Sequence, residues 1–150
     1  LQTYNVLVIE DDIEDFFLVQ EAIVELEADI YLKLDKYGEH TLKNLNQTTR
    51  VPEIIILDFS LPVLNAVKII RYIRDNSRYD QTKIIVHTES TYTDDRDQVI
   101  GVGANYFIRK EFSCKNITNV LKSIIESTTY KHEDEGFILD EVKVSSSETP

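Results

Sequence analysis

Five short apolar runs, each followed by a stretch with helical spacing, constrain the fold of this chain more than any other feature. They occupy residues 4–9, 30–34, 54–57, 83–87 and 106–108. Parallel strands cannot be joined by tight turns and need crossover connections, usually helices, so this alternation predicts an α/β fold around a central parallel sheet. The run Ile54, Ile55, Ile56, Leu57 is wholly apolar, as a strand buried on both faces should be. In the second run Ile30, Leu32 and Leu34 alternate with Tyr31 and Lys33, which predicts a more exposed place in the sheet.

The helical stretches follow from spacing and punctuation. Between residues 13 and 26, Phe16, Val19, Ala22, Ile23 and Leu26 recur at helical steps and make one apolar face. Gly38 marks a turn before a short helix at 40–45. Pro62 is expected to start the third helix, which carries Val67, Ile69, Ile70 and Ile73 and ends at Asn76 and Ser77. A weakly amphipathic helix at 94–101 is closed by Gly101 and Gly103. Ser113 and Asn116 are alternative N-caps for a last helix bearing Ile117, Val120, Leu121, Ile124 and Ile125.

With 150 residues the chain suits one domain, expected at 1–129. Residues 130–150 change character and read as an acidic tail. Its Phe137, Ile138, Leu139, Val142 and Val144 are apolar enough to dock on the body or on a second protomer, with disorder as the alternative. A net charge of −11 argues against direct DNA binding, which needs clustered Lys and Arg, and favours a protein partner. No apolar stretch approaches the roughly 20 residues of a membrane helix, and no signal-peptide pattern opens the sequence. The single Cys114 can form neither an internal disulfide nor a zinc cluster and suits a reducing cytoplasm, the expected location.

Ligands of open α/β sheets gather beyond the carboxyl ends of the strands. The residues there are Glu10, Asp11 and Asp12 after the first run, Asp58 after the third, Thr88 after the fourth and Lys110 after the fifth. Crowded carboxylates call for a cation, and Mg²⁺ suits one or two carboxylates, waters and a phosphoryl oxygen. An aspartate can attack phosphorus to give an aspartyl phosphate, while an ammonium and a hydroxyl hold the transferred oxygens.

Taken in order, Val8-Ile9-Glu10-Asp11, Ile56-Leu57-Asp58 with Leu61-Pro62, Val86-His87-Thr88, and Gly103-Ala104-Asn105 leading to Phe107 and Lys110 resemble the receiver domains of two-component response regulators over residues 4–127. The resemblance implies a flavodoxin-like (βα)5 fold with strand order 2-1-3-4-5 and helices on both faces. It also implies that Asp58 is the phosphoacceptor, that Glu10, Asp11, Asp58 and the Ser60 backbone carbonyl bind Mg²⁺, that Thr88 and Phe107 are the switch pair, and that Lys110 contacts the phosphoryl group. The implied role is a single-domain signalling protein, not an enzyme beyond its own phosphorylation and dephosphorylation. Its partners would be a sensor histidine kinase or phosphotransfer protein and a downstream protein target. The surface of the fourth helix, fifth strand and fifth helix, or the tail, is a candidate for homodimerisation. Asp15, Leu18, Glu21 and Thr88-Glu89-Ser90 are similar to stand-alone receivers associated with bacterial phytochromes.

The sequence departs from the family pattern at three places. Ala66 follows Asn65 where Gly is usual, so a positive φ there is less comfortable. Glu111 replaces the proline after the family lysine, which argues against a cis bond. Glu89 replaces a small residue beside the switch hydroxyl and puts a carboxylate near an incoming phosphoryl group. These departures support an alternative, a receiver-like interaction protein without phosphoryl turnover. A metal-dependent phosphohydrolase is disfavoured because position 60 is Ser, not a second aspartate.

Each site residue also has a plainer reading when taken alone. The acidic run can complement a helix dipole, Lys110 can be a surface lysine, Thr88 a cap and Phe107 core. His40, His87 and His132 have no metal or base spacing and read as structural or surface residues.

Overall fold

The computed structural model describes residues 2–133 except 37, 63, 91 and 112, and gives no side-chain detail at 38, 39 and 128–133. Its elements alternate as β1 (Thr3–Ile9), α1 (Ile13–Val24), β2 (Asp29–Asp35), α2 (Gly38–Gln47), β3 (Ile54–Asp58), α3 (Ala66–Asp75), β4 (Lys83–Thr88), α4 (Thr93–Gly101), β5 (Tyr106–Arg109) and α5 (Lys115–Glu133), with a 3-10 turn at Ser77–Tyr79. All strand pairs are parallel and the order is β2-β1-β3-β4-β5. The expected doubly wound α/β architecture is therefore the observed one.

Side chains alternate across each strand and so feed two cores. Ile54, Ile56, Ile85, Tyr106 and Ile108 pack with Phe16, Val19 and Ala22 of α1 and Ile117, Val120, Leu121 and Ile124 of α5. Ile55, Leu57, Ile84, Val86 and Phe107 pack with Ile69, Ile70 and Ile73 of α3, Val99 of α4 and Leu45 of α2. Strand β3 is buried at every position, and each fully buried Ile or Leu contributes on the order of 1.5–3 kcal/mol. β2 alternates between exposed and half-buried along most of its length, as its sequence predicts for an outer strand.

Helix boundaries differ from expectation where capping decides them. α3 starts at Ala66, not Pro62, because the Asn65 side chain accepts the Lys68 N–H at 2.9 Å and satisfies a donor that proline would only omit. Gly38 is the first residue of α2 instead of a turn, a place where its N–H needs no helical partner. Of the two candidate caps for α5, Ser113 lies outside the helix and accepts the Lys115 N–H at 3.1 Å. Asn116 lies inside it and donates to the Arg109 carbonyl at 2.7 Å. α5 continues to Glu133, past the expected domain end at 129, and the apolar residues Phe137 to Val144 through which the 130–150 tail would dock lie outside the described residues. No helix among the described residues is long and apolar enough to cross a membrane.

The sequence pattern does not mark Arg74, yet it ties α3 to the second half of the sheet. Its guanidinium donates to the carbonyls of Gly103, Tyr79 and Thr82 and to Asn105 Oδ1 at 2.8–3.0 Å. Asn105 Oδ1 also accepts the Ile84 N–H at 2.8 Å, so the approaches to β4 and β5 share one polar anchor.

Candidate functional site

The ladder itself assembles the site. Ile9 pairs with Leu57, which places Glu10 just past β1 beside Asp58 at the end of β3, and Asp58 pairs in turn with His87 of β4. By strand alternation Asp58 and His87 lie on the face covered by α1 and α5, whereas Thr88 shares the opposite face with Val86 and Phe107. Strand ends from four neighbours thus converge on one corner of the sheet.

Glu10 and Asp58 are only 4% and 6% exposed, while Asp11 is exposed at the rim. One carboxylate oxygen from each of Glu10, Asp11 and Asp58 lies within 4.8 Å of the others, a separation at which a single divalent ion can be shared. Asp12, the next acid in the run, has a different task. Its side chain caps α1 by accepting the Glu14 N–H at 2.9 Å, and its own N–H donates to Glu10 Oε1 at 3.1 Å. Ser60 comes beside the Asp58 carboxylate through its N–H, 3.3 Å from Oδ1.

Lys110 reaches into this corner from beyond β5. Its Nζ lies 2.6 Å from Asp15 Oδ2, 3.1 Å from Glu10 Oε2 and 3.3 Å from Asp58 Oδ1. Burial alone would lower its pKa, but the hydrogen bond to Asp15 and the charges of Asp58 and Glu10 outweigh burial and hold the ammonium protonated. Glu10 moves the other way. Burial first, and then the charge of Asp58, push it up to about 8 despite Lys110 and the Asp12 N–H. Burial and the neighbouring Asp58 charge thus favour the protonated form of Glu10.

Thr88 ends β4 fully buried, with its hydroxyl accepting the Ser90 N–H at 3.0 Å and its carbonyl accepting the Lys110 N–H at 2.6 Å. Phe107 is buried against Val86, its strand partner, two pairs below Thr88 on the same face. All the sequence-derived site residues thus fall at or next to one end of the sheet.

The departures are accommodated. Glu89 and Glu111 are exposed, and Glu111 Oε1 accepts from the Asn116 side chain at 3.0 Å. Among the described residues there is no cis peptide bond, and only Gly103 has a positive φ, so Asn65-Ala66 takes an ordinary extended cap instead of a left-handed turn.

Two close neighbours of Lys110 are absent from the strand-end pattern. Asp15, in the first turn of α1, makes the shortest contact to Lys110. His87 is not a surface residue. It is 2% exposed, its Nε2 has no hydrogen-bond partner among the described residues, and burial followed by the charge of Lys110 lowers its pKa to about 3. The signal for His87 was its place in an otherwise apolar strand; for Asp15 it was an acid at the start of a helix that opens beside the carboxylates.

Residues 6–122 match the family model of the response regulator receiver domain. The chain belongs to that family. This receiver is 25% identical over 126 residues to the phosphate regulon transcriptional regulatory protein PhoB of Escherichia coli, covering 81% of the chain and 51% of that relative. The PhoB protein of Pseudomonas aeruginosa is 29% identical over 79 residues, which is 53% of the chain and 34% of the relative. The receiver thus spans about half or less of the length of these curated relatives. Among solved structures, the phosphorylated cyanobacterial phytochrome response regulator RcpA superposes with a TM-score of 0.72 at 21% identity, covering 83% of this chain and 93% of that one. The Mn²⁺-bound response regulator Rcp1 gives 0.70 at 23% identity, covering 91% and 98%. At these identities the structures speak for the shared fold.

Proposed function

We propose that this receiver is a phosphorylation switch in which Asp58 accepts a phosphoryl group from a histidine kinase or phosphotransfer protein. The observation that carries the reading is the convergence of Asp58, Glu10 and Lys110 within one buried corner, with distances of 3.1 and 3.3 Å from the ammonium to the two carboxylates. In the transfer, an Asp58 oxygen bonds to phosphorus as the bond from phosphorus to the donor nitrogen breaks, and the nitrogen keeps the electron pair. The Ser60 N–H steadies the Asp58 carboxylate. Lys110 and the Thr88 hydroxyl would hold phosphoryl oxygens.

Glu10, Asp11, Asp58 and the Ser60 carbonyl would hold Mg²⁺, whose charge offsets the carboxylates and the incoming phosphoryl group. The donor set fits a hard divalent cation, because it is all oxygen and because a cation would offset the burial and the Asp58 charge that push Glu10 up to about 8. The protein catalyses only its own phosphorylation and dephosphorylation and is not an enzyme acting on other substrates.

Thr88 and Phe107, on one face and two pairs apart in the ladder, form the switch: a hydroxyl drawn to the phosphoryl group leaves room for the aromatic ring, and the population shifts toward a different surface on α4, β5 and α5. That surface would meet a downstream protein target or a second protomer. The net charge of −11 supports a protein partner over direct DNA binding.

Incubation with acetyl phosphate or phosphoramidate and Mg²⁺, followed by intact mass measurement, tests the reading. The wild-type chain should gain one phosphoryl mass and Asp58→Asn none. A wild-type chain that gains nothing would leave the interaction protein without phosphoryl turnover as the better account.

A further inference from the structure

The shortest contact of the Lys110 ammonium is to a carboxylate outside the group suited to a metal. Nζ is 2.6 Å from Asp15 Oδ2, closer than Glu10 at 3.1 Å or Asp58 at 3.3 Å. The metal-suited group comprises Glu10, Asp11 and Asp58, and Asp15 is not in it. The side chains of Lys110 and Asp15 are 9% and 17% exposed, so water and salt screen this pair far less than a surface pair. A charge-assisted hydrogen bond in such a place is stronger than a neutral one.

Asp15 is held where it is by the start of α1. Asp12 caps that helix, Glu10 accepts the Asp12 N–H, and Asp15 stands in the first turn, where an acidic side chain complements the helix dipole. The acidic run that builds the pocket therefore also aims a further carboxylate at its lysine. A divalent cation on Glu10, Asp11 and Asp58 would engage two of the three carboxylates that touch Lys110 and leave Asp15 as the uncommitted one.

We propose that Asp15 is a positioning residue that holds Lys110 back toward α1, so that phosphoryl oxygens at Asp58 compete with Asp15 for the ammonium and transfer is slowed. This rests on Asp58 being the phosphoacceptor. Asp15 forms no covalent bond and exchanges no proton. It sets only where the Lys110 charge stands while the phosphorus–donor bond breaks and the phosphorus–Asp58 bond forms.

The test compares wild type, Asp15→Asn and Asp15→Glu with phosphoramidate at saturating Mg²⁺, following the phosphoryl mass over time. Asp15→Asn should be phosphorylated about tenfold faster, in line with loss of one hydrogen bond to a charged group, and Asp15→Glu should return near the wild-type rate. Damage to α1 alone would not give a gain. In a parallel Mn²⁺ titration the Asn variant should bind the ion severalfold more weakly, because Lys110 then falls back on Glu10 and Asp58. Equal or slower phosphorylation of Asp15→Asn, or an unchanged Mn²⁺ affinity, overturns the role of Asp15 while leaving Asp58 as acceptor. A wild-type chain that takes up no phosphoryl group overturns both.

Discussion

Glu10 and Asp58 follow the paired residues Ile9 and Leu57 on adjacent parallel strands, so the ladder register brings two buried carboxylates side by side. Burial and the charge of Asp58 push Glu10 up to about 8 from 4.5. The folded state consequently binds the Glu10 proton more tightly than the unfolded chain does, and without metal this group lowers stability as pH rises from about 4.5 to 8. Denaturant titrations in chelator across that window should show the decline, and Glu10→Gln should flatten it.

A divalent ion must displace that same proton. Affinity for Mg²⁺ should rise with pH, by up to about tenfold per unit, and level off above pH 8. Calorimetric titrations at several pH values check this, and a flat profile would show that Glu10 is already ionised.

Lys110 compensates three carboxylates, Glu10, Asp15 and Asp58. Lys110→Ala should lower stability in chelator by roughly 3 kcal/mol, since breaking a buried pair leaves uncompensated charge. Mg²⁺ should recover much of the loss and bind more tightly than in wild type. Urea midpoints with and without Mg²⁺ measure both effects.

His87 carries a buried Nε2 without a partner, and its pKa is lowered to about 3. An unsatisfied buried polar atom costs roughly 1–3 kcal/mol, so His87→Leu should stabilise the protein by an amount in that range at neutral pH. Because the folded pKa lies below the usual imidazole value of 6.5, wild-type His87 also costs stability as pH falls below 6.5 toward 3. The Leu variant should lose less between those limits, as denaturation at pH 7 and pH 5 would show.

Gly103 has φ 121°, and a Cβ added there would stand 2.5 Å from Arg74 Cγ. Gly103→Ala therefore both strains the backbone and pushes on the guanidinium that anchors the approaches to β4 and β5. A loss of roughly 1–3 kcal/mol is expected from the equilibrium denaturation midpoint.

The sequence by itself determined the strands, their alternation with helices and the residues at the strand ends, because each depends on side chains near one another along the chain. An apolar run such as Ile54 to Leu57 is a strand for local reasons, and an acid placed just after it, such as Asp58, can only sit at the sheet's carboxyl edge. Glu10, Thr88 and Lys110 were legible in the same way. Only the tertiary structure decided which of these groups touch. The bond between Lys110 and Asp15 joins residues 95 positions apart, and the four acceptors of Arg74 come from two connections, the one before β4 and the one before β5. Periodicity fixes the face a side chain takes, whereas its partner depends on strand register and on how each helix lies across the sheet. The start of α3 at Ala66 belongs with these, since Asn65 displaced Pro62 as the boundary by finding a backbone donor that only the folded turn presents.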